Sequence, residues 1–385
     1  MSDSLQAEQI SANKLPVIDV SGLSSSKPEV RAAVGAAIRA ACIDNSFFYV
    51  SNHGIPQGLI SATQEQTRAF FDLPDEQKRK VAKTLSSCNR GWEPLQAQSL
   101  DLNAPPDLKE NFYMGLELAP DHPLVVAGTF NCGPNLWPSD MPEFRPTMRA
   151  YHAALRDLGE RLMVGLALSL DLPENYFDDL HRDPLSTLRL LHYPPHPADA
   201  QAGQAGAGAH TDFGVLTLLL QDDNGGLQVK DVNDTWIHAT PIPGTFIVNI
   251  GDAIARWTND LYRSTLHRVV NTSGNRRYSI PFFYTGNAET RLECLPNCLQ
   301  PGDTPKSHRD HRRAHDADVQ PQLRRPRQCQ GRGVISGECR DGSVGRTSPH
   351  RGEVKKKRPP SGGLFRVADR SLIDNPSRAS APGPC

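Results

Sequence analysis

The chain has 385 residues and a formal net charge of −1 at pH 7. This length allows two domains or one large β-rich core, and the near-neutral charge excludes a general attraction to nucleic acid or acidic membranes. The N-terminus shows neither the basic nor the apolar region of a secretory signal, and no run of 18 apolar residues occurs, so we expect a cytoplasmic protein without a membrane partner. The eight cysteines are scattered, which favours free thiols over a disulfide scaffold or a zinc ribbon.

The first third of the chain predicts an N-terminal α/β unit over residues 15–120, preceded by a polar, flexible segment over 1–14. Apolar and β-branched residues predict strands, and apolar residues at helical spacing predict helices. The predicted elements are a strand at Leu15–Val20, a helix opening at Lys27-Pro28, a strand at Phe47–Ser51 and a helix at Leu59–Phe71.

Residues 121–306 predict a β-rich core backed by a long helix. Apolar residues repeat at three and four positions from Phe144 to Leu170, which indicates one helix with a buried stripe. A loop is predicted at residues 197–209, and Asp252 is interpreted as a turn residue. Short strands are predicted at Leu188–Tyr193, Val215–Leu220, Leu227–Lys230, Trp236–His238, Phe246–Ile250, Ser264–Val270 and Tyr278–Tyr284. Such strands favour a mixed α/β, mainly β fold with a jelly-roll (double-stranded β-helix) core.

Two histidines and one aspartate form a candidate metal site. His210 and Asp212 lie two residues apart, so both side chains point the same way on an extended backbone. The later strand-like run can deliver His267 to the same place. Two imidazoles and one carboxylate are the ligand set of non-haem Fe(II) oxygenases. The other histidines in strand-like or neighbouring runs have no carboxylate at ligand spacing and are interpreted as core or surface residues: His53, His192, His196 and His238.

A candidate anion site follows ten residues after His267. Arg277 and Ser279 share one face of a predicted strand. A guanidinium group with an adjacent hydroxyl suits the planar, bidentate geometry of a carboxylate.

With these motifs the chain resembles the isopenicillin N synthase-like family of Fe(II)- and 2-oxoglutarate-dependent dioxygenases, from about Leu15 to about Lys306. Further blocks that carry the resemblance are Leu15–Asp19, Phe47–Ile55, Gly225–Val229 and Asn249–Asp252. The resemblance implies Fe(II), with 2-oxoglutarate and dioxygen as cosubstrates and ascorbate as a reductant.

The same resemblance implies roles for further residues. Tyr193 helps Arg277 and Ser279 to hold 2-oxoglutarate, and Arg90 and Phe283 belong to the substrate pocket. Loop packing is the competing interpretation for Arg90. Leu191 stands where many plant members have Asn, which argues against a plant-like substrate.

The implied function is oxidation of a small organic substrate of secondary or amino-acid metabolism, with release of succinate and CO2. Hydroxylation is the default outcome, with desaturation and ring closure as variants, and we expect a monomer. Two alternatives stay open at this stage. One is an iron oxidase or cyclase that does not use 2-oxoglutarate, and the other is a non-catalytic binding protein that lacks the C-terminal helix of the family.

The final segment, residues 307–385, differs from the rest. It has 17 Lys and Arg against 8 Asp and Glu, and only 11 large apolar residues. Such a composition does not bury enough surface to offset its ordering entropy, so we expect disorder. An altered reading frame is the interpretation we favour over a nucleic-acid-binding tail carrying Lys355–Arg358.

Overall fold

The computed structural model describes residues 15–302, apart from 102, 103, 198, 199, 202, 289, 291, 300 and 301. The predictions for residues 1–14 and 307–385 lie outside the described residues. The helices are Pro28–Asp44 (α1), Gln57–Phe71 (α2), Asp75–Arg79 (α3), Pro123–Val126 (α4), Phe144–Ser169 (α5) and Asp252–Trp257 (α6). In this described part, none of them is both long enough and apolar enough to cross a membrane.

The strands form two sheets. They are Val17–Asp19 (β1), Phe47–Ser51 (β2), Gly91–Glu93 (β3), Glu110–Gly115 (β4), Ser186–Tyr193 (β5), Ala207–His210 (β6), Leu216–Gln221 (β7), Leu227–Lys230 (β8), Trp236–His238 (β9), Phe246–Ile250 (β10), His267–Val269 (β11) and Arg277–Tyr284 (β12). The large sheet has the order β1-β2-β10-β7-β12-β5-β4-β3, and the small sheet has the order β6-β11-β8-β9. This two-sheet arrangement confirms the predicted jelly-roll core.

Alternating side chains of the large sheet build two separate cores. On β2, Phe47 and Tyr49 pack in a cluster with Leu227 and Val229 of the small sheet, which fills the space between the sheets. Phe48 and the other outward-facing residues belong to the larger cluster, on the side of the helices. Because side chains alternate along a strand, one sequence segment serves both layers. The site described below lies in the inner layer.

The long helix α5 covers the outer face of the large sheet, as its apolar stripe predicts. Met148, Tyr151 and Leu155 have no exposed surface and belong to the same cluster as Phe282 and Tyr284 of β12. The ring of Tyr284 lies so close to Gly159 that a Cβ atom there would be 3.3 Å from it. The helix therefore holds the sheet in place from behind.

Two local predictions are wrong, and two strands were not predicted. Residues 207–209 were expected within a loop but form strand β6 together with His210, since pairing with β11 overrides the weak strand preference of Ala and Gly. Residues 91–93 and 110–115, for which no strand was predicted, form β3 and β4 at one edge of the large sheet. Asp252 is the first residue of helix α6 and not a turn residue.

Candidate metal and cosubstrate site

Strand pairing in the small sheet brings the two predicted histidine ligands together. β6 and β11 are antiparallel, and His210 is the direct cross-strand partner of His267. Cross-strand partners carry their side chains on the same face, so both rings point between the sheets. The ring centroids lie 4.3 Å apart.

Asp212 completes the group immediately after β6. Its Oδ1 atom lies 3.9 Å from Nε2 of His210 and 3.8 Å from Nε2 of His267. One candidate ligand atom from each of the three residues lies within 4.8 Å of the other two. Among the described residues, this is the one group of three or more His, Cys, Asp or Glu side chains that could hold a metal ion.

Both imidazoles are oriented through their Nδ1 atoms. His210 Nδ1 lies 2.7 Å from the carbonyl oxygen of Gly208, and His267 Nδ1 lies 3.1 Å from the carbonyl oxygen of Thr265. A carbonyl oxygen only accepts, so each Nδ1 carries the proton and each Nε2 presents a lone pair. Burial, together with the neighbouring His267, lowers the pKa of His210 to about 3, which keeps its ring neutral. Neutral imidazoles are the form that binds metals.

The carboxylate of Asp212 is held on its other oxygen. Oδ2 accepts hydrogen bonds from Thr217 Oγ1 at 2.6 Å and from Asn249 Nδ2 at 2.8 Å. Burial raises the pKa of Asp212, but the two histidines and these two donors outweigh it and leave that pKa below its ordinary value. The group is therefore ionised, with Oδ1 directed at the histidines.

Arg277 lies in the same cavity and has no exposed surface. Its Nε donates to the carbonyl oxygen of Gly225, and its Nη2 donates to Oε1 of Gln221 at 3.1 Å. Gly225 and Gly226 both have positive φ (70° and 93°), so the turn that presents this carbonyl requires glycine. Nη1 is buried and has no hydrogen-bond partner among the described residues. Since Arg277 lines the cavity, an acceptor bound there would satisfy this donor.

Tyr193 and Ser279 stand beside Arg277. Arg277 is the cross-strand partner of Tyr193, and its guanidinium carbon lies 4.8 Å from the centre of the tyrosine ring. Burial raises the pKa of Tyr193, and the nearby hydroxyl of Ser279 partly opposes that shift. Both residues line the cavity, as does Phe283, so the structure brings together every predicted site residue except Arg90.

The prediction that Arg90 belongs to the substrate pocket is wrong, because its side chain is buried elsewhere. It is 1% exposed, and it donates to the carbonyl oxygens of Cys88, at 3.0 Å, and of Asn131. A Cβ atom on Gly115 would clash with its guanidinium group, so that glycine makes room for it. Arg90 ties two loops to β4, which is the competing interpretation of loop packing.

Sequence reasoning did not identify several residues of the cavity. Thr217 and Asn249 orient the aspartate, and Gln221 orients the arginine. Lys109 and Arg189 also line the cavity. Alternation on the predicted strand 188–193 put Arg189 on the face of Tyr193, and that signal was sufficient to include it.

Two of the remaining histidines have structural partners. His192 Nδ1 lies 2.8 Å from Oε1 of Glu110, and its Nε2 accepts from Arg276 Nε at 3.0 Å. His53 Nδ1 accepts from the backbone of Ile55 at 3.1 Å. Neither belongs to the metal-ligand group, in agreement with their interpretation as core or surface residues rather than ligands.

Comparison with known proteins places these features in context. Residues 15–140 match the family described as non-haem dioxygenase in morphine synthesis N-terminal, and residues 184–286 match the 2OG-Fe(II) oxygenase superfamily. The 2-oxoglutarate-Fe(II) type oxidoreductase hxnY of Emericella nidulans is 42% identical over 76% of this chain and 85% of its own length. The homoarginine-6-hydroxylase of Glycine max is 36% identical over 73% of this chain and 88% of its own length.

Solved structures agree. A full-length protein of Neurospora crassa, solved by crystallography in complex with alpha-KG (2-oxoglutarate) and thymine, is 33% identical to this chain. It superposes with a TM-score of 0.68, and the match covers 76% of this chain and 92% of the Neurospora protein.

Proposed function

This chain belongs to the 2OG-Fe(II) oxygenase superfamily and is a 2-oxoglutarate-dependent dioxygenase, and we propose that His210, Asp212 and His267 are its iron ligands. The observation that carries the proposal is the convergence of two free Nε2 lone pairs and one carboxylate oxygen within 4.8 Å of one another. Two neutral nitrogens and one anionic oxygen suit a ferrous ion and leave it a positive charge.

We further propose that Arg277, Ser279 and Tyr193 hold the distal carboxylate of 2-oxoglutarate. The unpartnered Nη1 of Arg277 supplies a charged donor, and Ser279 and Tyr193 supply hydroxyl groups beside it. A carboxylate can accept from both kinds of donor at once. Its charge would also compensate a guanidinium group that has no described carboxylate partner.

The chemistry that Fe(II) supplies when bound is the activation of dioxygen, with conversion of 2-oxoglutarate to succinate and CO2. The protein's own part is orientation and exclusion. Thr217 and Asn249 fix the plane of the Asp212 carboxylate, and the backbone carbonyls of Gly208 and Thr265 fix the imidazole tautomers. Apolar side chains that line the cavity, among them Phe47 and Leu219, keep it poor in water.

The substrate is a small organic molecule that occupies the rest of this cavity. Relatives named above act on homoarginine or bind thymine, which supports a small metabolite as the substrate. We propose hydroxylation as the outcome, with desaturation or ring closure as variants of the same chemistry. The cytoplasmic location, the monomeric state and the use of ascorbate stay predictions.

The test is a stoichiometric assay with purified protein, Fe(II), 2-oxoglutarate and a library of candidate metabolites. Succinate release that rises with one class of compound, and that matches oxygen consumption, supports the proposal. Asp212→Ala is the control, and we expect it to lose both iron and turnover. Iron binding and succinate release that survive in Asp212→Ala would refute the ligand assignment.

A further inference from the structure

A group of five charged side chains beside the cavity carries one surplus positive charge. This basic cluster consists of Lys83, Glu93, Asp107, Lys109 and Arg189. Lys83 lies 3.2 Å from Glu93, and Lys109 lies 2.5 Å from Asp107, so each carboxylate already has a lysine partner. Arg189 is the cation left over, and its charge influences the pKa of both Glu93 and Lys109.

The contacts of Arg189 are with neutral groups. Its Nη2 donates to Oε1 of Gln98 at 3.0 Å and to Oδ1 of Asn111 at 2.9 Å. Its guanidinium carbon lies 4.6 Å from the centre of the Tyr113 ring and 5.7 Å from that of Phe283. The Nε atom is buried without a hydrogen-bond partner among the described residues. Arg189 is therefore held in place with one donor unpartnered, and no carboxylate among the described residues is in direct contact with it.

The surplus charge faces the cavity and not the outer surface of the sheet. Lys109 and Arg189 both line the cavity that contains the histidines, and Lys109 is 2% exposed. Burial lowers the pKa of Lys109 to about 8, and the nearby Arg189 adds to that shift. Two cations of the basic cluster thus border the space in which the substrate must lie, and both geometry and charge favour an anion there.

Strand register separates Arg189 from the residues proposed to hold 2-oxoglutarate. On the paired strands β5 and β12, Tyr193 stands opposite Arg277, and Thr187 stands opposite Phe283. Arg189 is four residues from Tyr193 along β5, which is roughly 13 Å at about 3.3 Å per residue. The guanidinium group of Arg277 lies against the Tyr193 ring, whereas that of Arg189 lies against the Tyr113 and Phe283 rings, so the two arginines serve different parts of the cavity.

We propose that Arg189 anchors a carboxylate of the organic substrate, and that the substrate is a small organic acid whose carbon body packs against Phe283. This inference rests on the proposed iron and 2-oxoglutarate site, because it assigns the remaining part of that cavity. A guanidinium group binds a planar carboxylate more tightly than it binds an uncharged amide. The bound carboxylate also neutralises the surplus positive charge of the basic cluster. The aromatic ring beside the guanidinium group provides an apolar surface for the rest of the molecule.

The test measures binding, not turnover. Anaerobic protein loaded with Fe(II) and saturating 2-oxoglutarate is titrated calorimetrically with benzoate, phenylacetate and the straight-chain acids from butanoate to octanoate, each beside its primary amide. Saturating 2-oxoglutarate keeps Arg277 engaged, so an added acid reports on the rest of the cavity. We expect at least one acid to bind about 10- to 100-fold more tightly than its amide, the range for a hydrogen bond to a charged group.

Variants assign this preference to Arg189. Arg189→Met should abolish the discrimination between acid and amide, whereas Arg189→Lys should retain part of it. Arg145→Met, on the exposed face of α5, serves as the matched control and should bind like the wild type. Circular dichroism verifies that each variant is folded.

The inference is overturned if no acid binds more tightly than its amide, or if Arg189→Met keeps the preference. Affinity for 2-oxoglutarate separates this failure from a failure of the proposed function. Arg189→Met should leave the affinity for 2-oxoglutarate unchanged. A large loss of that affinity would show that Arg189 belongs to the cosubstrate site instead. Unchanged 2-oxoglutarate affinity in Arg277→Met would refute the cosubstrate assignment and leave the result for Arg189 standing on its own.

Discussion

Asn249 donates a 2.8 Å hydrogen bond to Oδ2 of Asp212, and this contact decides which carboxylate oxygen faces the two histidines. Thr217 donates to the same oxygen at 2.6 Å. With Oδ2 occupied twice, Oδ1 is the oxygen that points at both Nε2 atoms. The metal site is therefore shaped by residues of β7 and β10 in the large sheet, while its histidines come from the small sheet.

Asn249→Ala should weaken iron binding without abolishing it. Loss of a hydrogen bond to a ligating carboxylate typically lowers metal affinity about 10- to 100-fold. Equilibrium dialysis against a graded Fe(II) buffer measures the change. Asn135→Ala removes another buried amide, one that bonds to the backbone of Gly115 away from the site, and should leave iron affinity unchanged. Equal affinities of Asn249→Ala and wild type would contradict the orienting role.

Arg277→Met should weaken binding of 2-oxoglutarate by about 30-fold or more, since truncating one partner of a buried charge pair usually costs about 2–5 kcal/mol. Arg277→Lys should recover only part of the affinity, because an ammonium group lacks the bidentate fork. The dissociation constant of 2-oxoglutarate, measured anaerobically with Fe(II) present, reports the effect. The adjacent Arg276 bonds to His192 and Asp72, so Arg276→Met is the matched control and should bind normally.

The metal and cosubstrate residues were predictable because their signals are local. Two residues on one extended segment share a face, and this rule linked His210 with Asp212 and Arg277 with Ser279. The second histidine needed only a strand that could reach the first. Its exact partner strand was not predictable, since residues 207–209 of β6 are Ala and Gly, and only the pairing with β11 defines this strand.

Other features depend on contacts that are distant in sequence. β4 carries the charged residue Glu110 and was not predicted to be a strand. In the structure Glu110 is buried and satisfied by Lys78 at 2.8 Å, by Trp92 at 2.8 Å and by His192 at 2.8 Å. Buried polar residues with full hydrogen bonding look like surface residues in a sequence. The same limit applies to Arg90, whose acceptors are backbone carbonyls that no side-chain pattern reveals.

Arg90→Met should destabilise the fold and leave substrate binding unchanged. Methionine fills a similar space, but the carbonyl oxygens of Cys88 and Asn131 would lose a charged donor. The expected loss is on the order of 3 kcal/mol in the free energy of unfolding, at about 1.5 kcal/mol for each such bond. Urea unfolding measures it, and the Michaelis constant for 2-oxoglutarate serves as the internal control. A variant with native stability and a changed substrate preference would return Arg90 to the substrate pocket.

Acidification should destabilise the protein partly through His152, a buried residue of α5. Its Nε2 lies 3.1 Å from the Ser186 hydroxyl, and its ring packs edge-on against Phe282 at 5.2 Å. Burial, with help from the nearby Arg156, lowers its pKa to about 4 from an ordinary value of 6.5. The unfolded chain therefore takes up the proton first, so the contribution to stability is complete above pH 6.5 and is lost as the pH falls toward 4.

From pH 7 to pH 5, proton uptake by His152 in the unfolded chain should lower the free energy of unfolding by about 2 kcal/mol. His152→Gln keeps an acceptor for Ser186 but does not titrate. From pH 7 to pH 5 the free energy of unfolding of this variant should therefore fall by about 2 kcal/mol less than that of the wild type. Urea unfolding at both pH values measures the two free energies. The pKa of His210 is also lowered, but His210 is present in both proteins, so its contribution cancels from the difference between them. His122→Gln, at a partly exposed histidine near α4, should behave like the wild type. Parallel pH profiles for His152→Gln and wild type would mean that His152 is solvated or already protonated in the folded enzyme.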